Sequence, residues 1–382
     1  MIHIELLSTP ASLSGFQADW ERLFKARPHE PSTSFEWTQA LRENHLKGDD
    51  EFFLLVGRQD QRVCTLVPLV RERLRLGGLP LTSLRVISEM YNTHSDFLCD
   101  KLDEGMMAAL LESFRTEARP WDVMRFTRVL EGSVLDRALA GALPRSGLIS
   151  RSRLEPPSFF LALPNTFDEY LRTRSGKFRN YLRRMEKGFQ ASGKVRLIKI
   201  VAPGAFAQAY EDLLSLEKAS WKHEHGTAIS AVAHQRGFYH DMARGALDAG
   251  RLHLTFLQLD QLPVAYNLGL ISHGQYHYLK TSFHEAYRRH GVATISRARL
   301  IRMLIDEGIK EFDFPGEPYE WEAQWTDKVR WHRSVVVYNK TVMGRIYRTL
   351  TGIRDRVRRK LPERTVAYCD PKALRAPGKR TP

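Results

Sequence analysis

The chain has 382 residues, 43% of them hydrophobic, and a formal net charge of +14. That length and apolar content allow sizeable buried cores in two domains or one large one, and exclude a disordered or fibrous chain. No run of 18 apolar residues occurs, and the residues after Met1 lack the basic, apolar and cleavage regions of a leader, so the cytoplasm is the expected compartment.

Cys64, Cys99 and Cys369 are too few and too scattered for a disulfide framework or a zinc site, and no metal is expected. Residues 340–382 hold 13 Lys or Arg against 3 Asp or Glu, so this end alone carries +10 and the rest is only mildly basic. That distribution argues against a broad nucleic-acid footprint. Val342, Ile346, Leu350, Ile353 and Val357 recur at helical spacing among arginines, which predicts a basic amphipathic helix. Over 341–360 it either lies on an anionic membrane surface, at the inner face, or docks on its own domain. Past Pro362 a disordered end is expected.

In chain order, helices are predicted at Leu13–Ala26 and from Ser34 to His45. Strands follow at Glu51–Gly57 and Arg62–Val70, then an irregular Gly77–Pro80 region and a strand at Ser95–Cys99. A helix at Asp103–Ala118 and a strand at Asp122–Thr127 close the first half. A boundary is expected near Gly147–Pro157, where two prolines break both helix and strand. Helices at about Thr166–Gln190, Ala205–Trp221 and Ala231–Ala249 come next. A three-strand meander then runs Leu252–Leu259, Leu262–Ile271 and Gln275–Ser282, followed by a helix at Thr294–Glu307 and strands at Lys310–Phe314 and Val329–Tyr338.

The two halves share one element order, which implies tandem α/β (α+β) units, each a mixed sheet flanked by helices: 1–150 and 151–340, with 341–382 as the basic helix and tail. They differ at one place. In the second, the strand ending at Ser282 leads into Arg288-Arg-His-Gly-Val-Ala293 at a helix start, where unpaired backbone N–H groups can hold a pyrophosphate. The first has Asp100-Lys-Leu-Asp-Glu-Gly105 there, and acidic side chains suit no phosphate.

Arg288, Gly291 and Ala293 match Q/R-x-x-G-x-G/A, which resembles the acyl-coenzyme A loop of the GNAT acyltransferase superfamily. Leu216–Ile229 resembles the L-E-x-x-S-W-K-x-x-x-G-T-A motif of its CelD-like, Fem-related acetyltransferase domains. Asp313-Phe-Pro-Gly-Glu-Pro-Tyr319 resembles their D-F-x-x-G-x-x-x-Y-K signature in shortened form, and Ser175–Arg184 their S-x-K-x-R-x-x-L-R-R helix. With Phe35–Trp37, Val67–Leu69 and Trp121-Asp122, the resemblance spans nearly residues 5–340. Two departures stand out: Tyr319-Glu320 replaces Tyr-Lys, and His290-Gly291 replaces Pro-Gly.

The resemblance implies acyl transfer from acyl-CoA to an amine or hydroxyl of a small-molecule or glycan-precursor acceptor, in bacterial envelope or exopolysaccharide biosynthesis. It implies donor contacts from Lys280, Thr281, Arg288, Arg289, Gly291, Val292, Ala293 and Thr294. Asp313, at a strand end, is the first candidate base, with Glu317 and Glu217 competing and Tyr319 returning a proton. Trp221, Lys222 and Trp325 are candidate walls of the acceptor site. Lys177 and Arg179 could grip an acceptor phosphate or form a solvated helix face. An aminoacyl-tRNA-dependent transfer of the Fem type and a non-catalytic membrane-surface protein are the alternatives.

Overall fold

The computed structural model describes residues 2–8, 13–26, 28, 30–87, 94–116 and 120–360. The first half runs β1 (Ile2–Ser8), α1 (Gln17–Ala26), α2 (Phe35–His45), β2 (Glu51–Gln59), β3 (Arg62–Leu76), β4 (Leu79–Val86), β5 (Leu98–Cys99), α3 (Glu104–Thr116), β6 (Val123–Leu130), α4 (Val134–Ala142) and β7 (Ile149–Ala162). Two helices, α5 (Phe167–Arg172) and α6 (Gly176–Gln190), lead to β8 (Val195–Ile200). The second half continues with α7 (Phe206–Lys218), α8 (Trp221–Glu224), α9 (Ala233–Asp248), β9 (Leu252–Leu259), β10 (Leu262–Ser272), β11 (Gln275–Phe283), α10 (Val292–Asp306), β12 (Glu311–Phe314), β13 (Val329–Tyr338) and α11 (Val342–Lys360).

All the described strands join one sheet, ordered β1-β2-β3-β4-β6-β13-β7-β12-β11-β10-β9-β8, with β5 beside β3. This order is a palindrome in structure. From either edge it runs through an outer strand, a three-strand meander and a parallel partner, β6 on β4 and β12 on β11. The last strands are exchanged: β13 pairs with β6 of the first half, and β7 with β12 of the second. β7 and β13 then pair antiparallel with each other at the centre. The matched hairpins carry the same dipeptide at positive φ, Asp60-Gln61 and Asp260-Gln261, as two-residue turns between right-twisted strands require. The equivalent helices α2 and α9 pack together, where Gly245 lets Glu36 approach: a Cβ there would lie 2.6 Å from the Glu36 Cβ.

Several expectations need correction. The stretch 149–162, expected to break strand and helix, is a continuous strand, because Pro156 and Pro157 sit at a bulge where the register to β13 shifts between Arg330 and His332. The single helix expected over 166–190 is two, since Thr166 and Ser175 each cap a separate start. β4 follows directly on a Gly77-Gly78 turn rather than an irregular region, and β1, β8 and α4 are further elements.

The helix α11 docks through Met343 and Tyr347, which pack on Leu81, Val123 and Tyr338, and through Thr351, whose hydroxyl lies 2.9 Å from the Tyr338 hydroxyl. The expected apolar stripe points elsewhere: Val342, Leu350 and Ile353 are exposed at 74%, 44% and 51%. The side chains of 354–360, and the expected disordered end with Cys369, lie outside the described residues. No described helix is long and apolar enough to cross a membrane.

Candidate active site

The strands β11 and β12 pair only at Gln275–His277 with Glu311–Asp313 and then part. Into the gap opens a cleft of about 1400 Å³ whose walls come from β11, α6, the start of α10 and the 315–327 segment. A bulge in β11 sits at this point. Leu268 pairs with Lys280 and Gly269 with Tyr278, so Leu279 has no register partner in β10 or β12.

At the upper end, Glu285–His290 forms a single 3-10 segment and Gly291, at φ 69°, turns the chain into α10 with no side-chain cap. A helix start without a capping side chain leaves its first N–H groups available to an anion. Ala293 and Thr294 line the cleft there. Val292 is buried in the core, Arg289 is exposed, and Arg288 lies at the surface with its Nη1 2.8 Å from Glu285. The equivalent helix of the first half, α3, is capped instead by Asp103, which accepts from the Met106 N–H at 2.9 Å. An acidic cap occupies the position a phosphate would need.

Of the residues singled out in the sequence, Lys177, Trp221, Lys222, Lys280, Thr281, Ala293, Thr294, Glu317, Tyr319 and Trp325 line the cleft. Lys280 is largely buried, and burial together with the Lys222 ammonium lowers its pKa to about 8. Lys222 donates from Nζ to Glu217 at 3.0 Å and to the Thr281 carbonyl at 2.6 Å, so its charge fastens the segment after α7 to β11. Tyr319 is 61% exposed and stacks on Trp321.

Besides Arg288, Arg289, Gly291 and Val292, three expected residues lie outside its lining. Asp313 is fully buried, on the opposite face of β12 from Phe312 and Phe314, as strand alternation dictates. Its carboxylate accepts from Arg330 Nη1 at 2.8 Å and lies 3.6 Å from His277 Nδ1. Burial raises its pKa, but the nearby His277 imidazole and the charges of His94 and Arg330 outweigh that and hold it well below the usual carboxylate range. It is an ion-pair anchor. Glu217 accepts from the Tyr266 hydroxyl at 2.6 Å, from Lys222 and from the Ile229 N–H, so both oxygens are engaged. Arg179 donates to the carbonyls of Leu171, Arg172 and Arg174, closing the C-terminal end of α5.

The sequence reading passed over two groups. Glu322, 4% exposed and on the cleft wall, accepts from the Tyr319 N–H at 3.0 Å. Burial raises its pKa to about 8, against smaller lowering by that hydrogen bond and by Arg297. Arg297 is buried one turn into α10 at the floor of the cleft. A carboxylate between two tryptophans, in Trp321-Glu322-Ala-Gln-Trp325, was the available signal for the first, whereas nothing in the sequence marks an inward arginine at the start of an amphipathic helix.

A parted strand pair capped by an anion-ready helix start, with perturbed acid–base groups between, defines a site for group transfer on an α/β fold. Residues 176–323, from α6 through Ala323, match the sequence model of the acetyltransferase (GNAT) domain family, and this part of the chain is similar to that family. Among solved structures, the chain resembles FemX at 11% identity, covering 87% of this chain and 97% of that one with a TM-score of 0.57. It also resembles a conserved protein of unknown function from Bacteroides thetaiotaomicron, at 12% identity, 88% and 100% coverage and a TM-score of 0.55. A third is the C-terminal domain of a provisionally assigned lysylphosphatidylglycerol synthetase from Agrobacterium fabrum, at 11% identity, 89% and 96% coverage and a TM-score of 0.54. At such identities the likeness is one of fold. Comparison with curated protein sequences gives no match.

Proposed function

We propose that the protein transfers an acyl group from acyl-CoA to an amine. The observation that carries this is the convergence in one cleft of the α10 start, the bulged strand β11, and the buried Glu322 and Lys280. Its volume of about 1400 Å³ exceeds the roughly 300–1,000 Å³ usual for one small ligand, which suits a donor and an acceptor together.

In this reading the donor pyrophosphate meets the N–H groups of Val292 and Ala293, and its pantetheine arm runs along β11 toward Leu279. Backbone N–H groups at the bulge polarise the thioester carbonyl. The acceptor nitrogen attacks that carbon while Glu322 takes its proton; the C–N bond forms, the C–S bond breaks, and the leaving thiolate takes a proton from the Lys280 ammonium. A carboxyl near pKa 8 and an ammonium near 8 exchange protons readily at neutral pH. Glu317 and Tyr319, also on the wall, orient the acceptor, as do Trp221 and Trp325 through their flat faces. The fold needs no metal for these steps. Envelope or exopolysaccharide biosynthesis as the setting is supported by the family resemblance, and a peripheral place at a membrane by the exposed stripe of α11.

Calorimetry of the full chain with acetyl-CoA tests the donor. Saturable binding is expected, lost in Gly291→Glu and weakened several-fold in Arg288→Ala. Absence of binding to acetyl-CoA and to longer acyl-CoAs overturns the reading and leaves an aminoacyl-tRNA, an acyl carrier protein or no donor at all.

A further inference from the structure

The cleft floor holds a cation with no anion. Arg297 is 6% exposed, yet no carboxylate among the described residues lies within ion-pair distance of it. Its Nη2 donates to the Tyr278 hydroxyl at 3.3 Å, which itself donates to Asn267 Oδ1 at 3.0 Å, and its Nε has no partner. The guanidinium lies 3.8 Å from the Trp321 ring centroid and 5.3 Å from that of Trp325. Stacking recovers on the order of 2 kcal/mol of the desolvation cost, short of the several kcal/mol that burying a charge demands. An apolar side chain would serve the core better. A buried, unpaired guanidinium on the wall of a substrate cleft is therefore a group waiting for its counter-ion.

We propose that Arg297 receives a carboxylate carried by one of the substrates. This rests on the cleft being the transfer site and adds the chemical class of what enters it. A carboxylate fits better than a phosphate. One guanidinium with one hydroxyl already on it offers a single positive charge and few donors, and the surrounding rings are apolar. The donor phosphates have their own place a turn away at Ala293 and Thr294. The carboxylate belongs either to the acyl chain, as in a dicarboxylic thioester, or to the acceptor, as in an amino acid. In both cases it is held where β11 and β12 part, and it fixes the reacting carbon or nitrogen beside Glu322.

The test begins with succinate, which needs no donor, titrated into the full chain by calorimetry beside succinamide and inorganic phosphate. Saturable succinate binding, at least tenfold tighter than succinamide and tighter than phosphate, and lost in Arg297→Gln, is expected. No saturable binding, equal binding of succinamide, tighter binding of phosphate, or unchanged binding in Arg297→Gln each overturns the proposal. Should Arg297→Gln fail to fold, the succinate and succinamide comparison on the unaltered chain decides. Two further arms locate the group. Succinyl-CoA binding tenfold tighter than acetyl-CoA places it on the acyl chain. Equal binding of the two, with thiol release faster for glycine than for glycinamide, places it on the acceptor, and, where acyl-CoA does bind, no preference in either arm overturns the proposal. Failure of every acyl-CoA to bind while succinate still does would sink the donor reading alone.

Discussion

Arg128 Nη2 donates to the carbonyl of Gly316 at 2.7 Å, a bond from the first half of the chain to the cleft wall of the second. Arg128 is buried and holds φ 51°, a conformation seldom kept without return. It fixes the Pro315–Glu317 turn from behind. Replacing it by Ala should leave a buried carbonyl unpaired and lower stability by about 3 kcal/mol. Acyl transfer should fall at least tenfold while acyl-CoA affinity stays within twofold. Urea denaturation and thiol-release kinetics measure both, and a stability loss with unchanged kinetics would show that the bond serves the fold alone.

At Gly291 two constraints coincide: φ is 69°, and an added Cβ would lie 3.0 Å from the Cγ and Sδ of Met185. Gly291→Ala should cost about 1–2 kcal/mol and weaken acyl-CoA about tenfold. Gly308, at φ 78° with open space around it, is the matched control. Gly308→Ala should carry a similar stability cost and leave acyl-CoA affinity unchanged.

Glu322 sets the pH dependence. Its pKa is raised from 4.5 to about 8, so transfer should increase as pH approaches 8 and the base ionises, then fall above 8 as the Lys280 ammonium, its pKa lowered to about 8, loses its proton. Glu322→Gln should lower kcat about 100-fold or more and flatten the rising limb. The stability effect has the opposite sign. Between pH 4.5 and 8 the folded chain keeps a proton that the unfolded chain has lost, so this group's contribution to stability falls as pH rises through that window. At pH 8 Glu322→Gln should be more stable than the unaltered chain by on the order of a few kcal/mol, and equal melting temperatures at pH 5 and 8 in both proteins would contradict this.

The exchanged strands predict how the chain divides. Residues 1–148 alone leave β6 without β13, and an unpaired edge beside a hydrophobic core invites aggregation. This fragment should show no cooperative melting, and mixing it with 149–382 should restore a transition close to that of the whole chain. Circular dichroism and gel filtration read both, and a stable 1–148 would show the exchange to be dispensable.

Exposed Val342, Leu350 and Ile353 beside Arg345 and Arg348 form the outward face of α11. Vesicles with anionic lipid should retain the protein on co-sedimentation at low salt and release it at high salt. Leu350→Asp with Ile353→Asp should abolish retention without changing the melting temperature. Equal retention on neutral vesicles would refute an electrostatic surface contact.

Much of this architecture could be read from residue pattern. The turns at Asp60-Gln61 and Asp260-Gln261, the cap at Ser34 and the whole of β13 follow from local chemistry. The edge strands β1 and β8 did not stand out, because a short strand paired on one side carries a weak alternation. Strand exchange is a choice between two equally good partners, and no local pattern records it. The same holds at the site. Asp313 is at a strand end as expected, but one position of alternation decides which face it serves, and it is its neighbours Phe312 and Phe314 that pack behind the cleft residues Tyr278 and Trp321. Arg297 is legible only once Trp321 and Trp325 have been brought over it.

The palindromic sheet has the topology that a strand-swapped homodimer would have if its two polypeptides were joined into one. In a true dimer both copies must keep a working cleft, since every substitution appears twice. Fusion removes that obligation. The half with Asp103 at its helix start can then serve as a brace, and Arg128 reaching across to Gly316 is what it contributes.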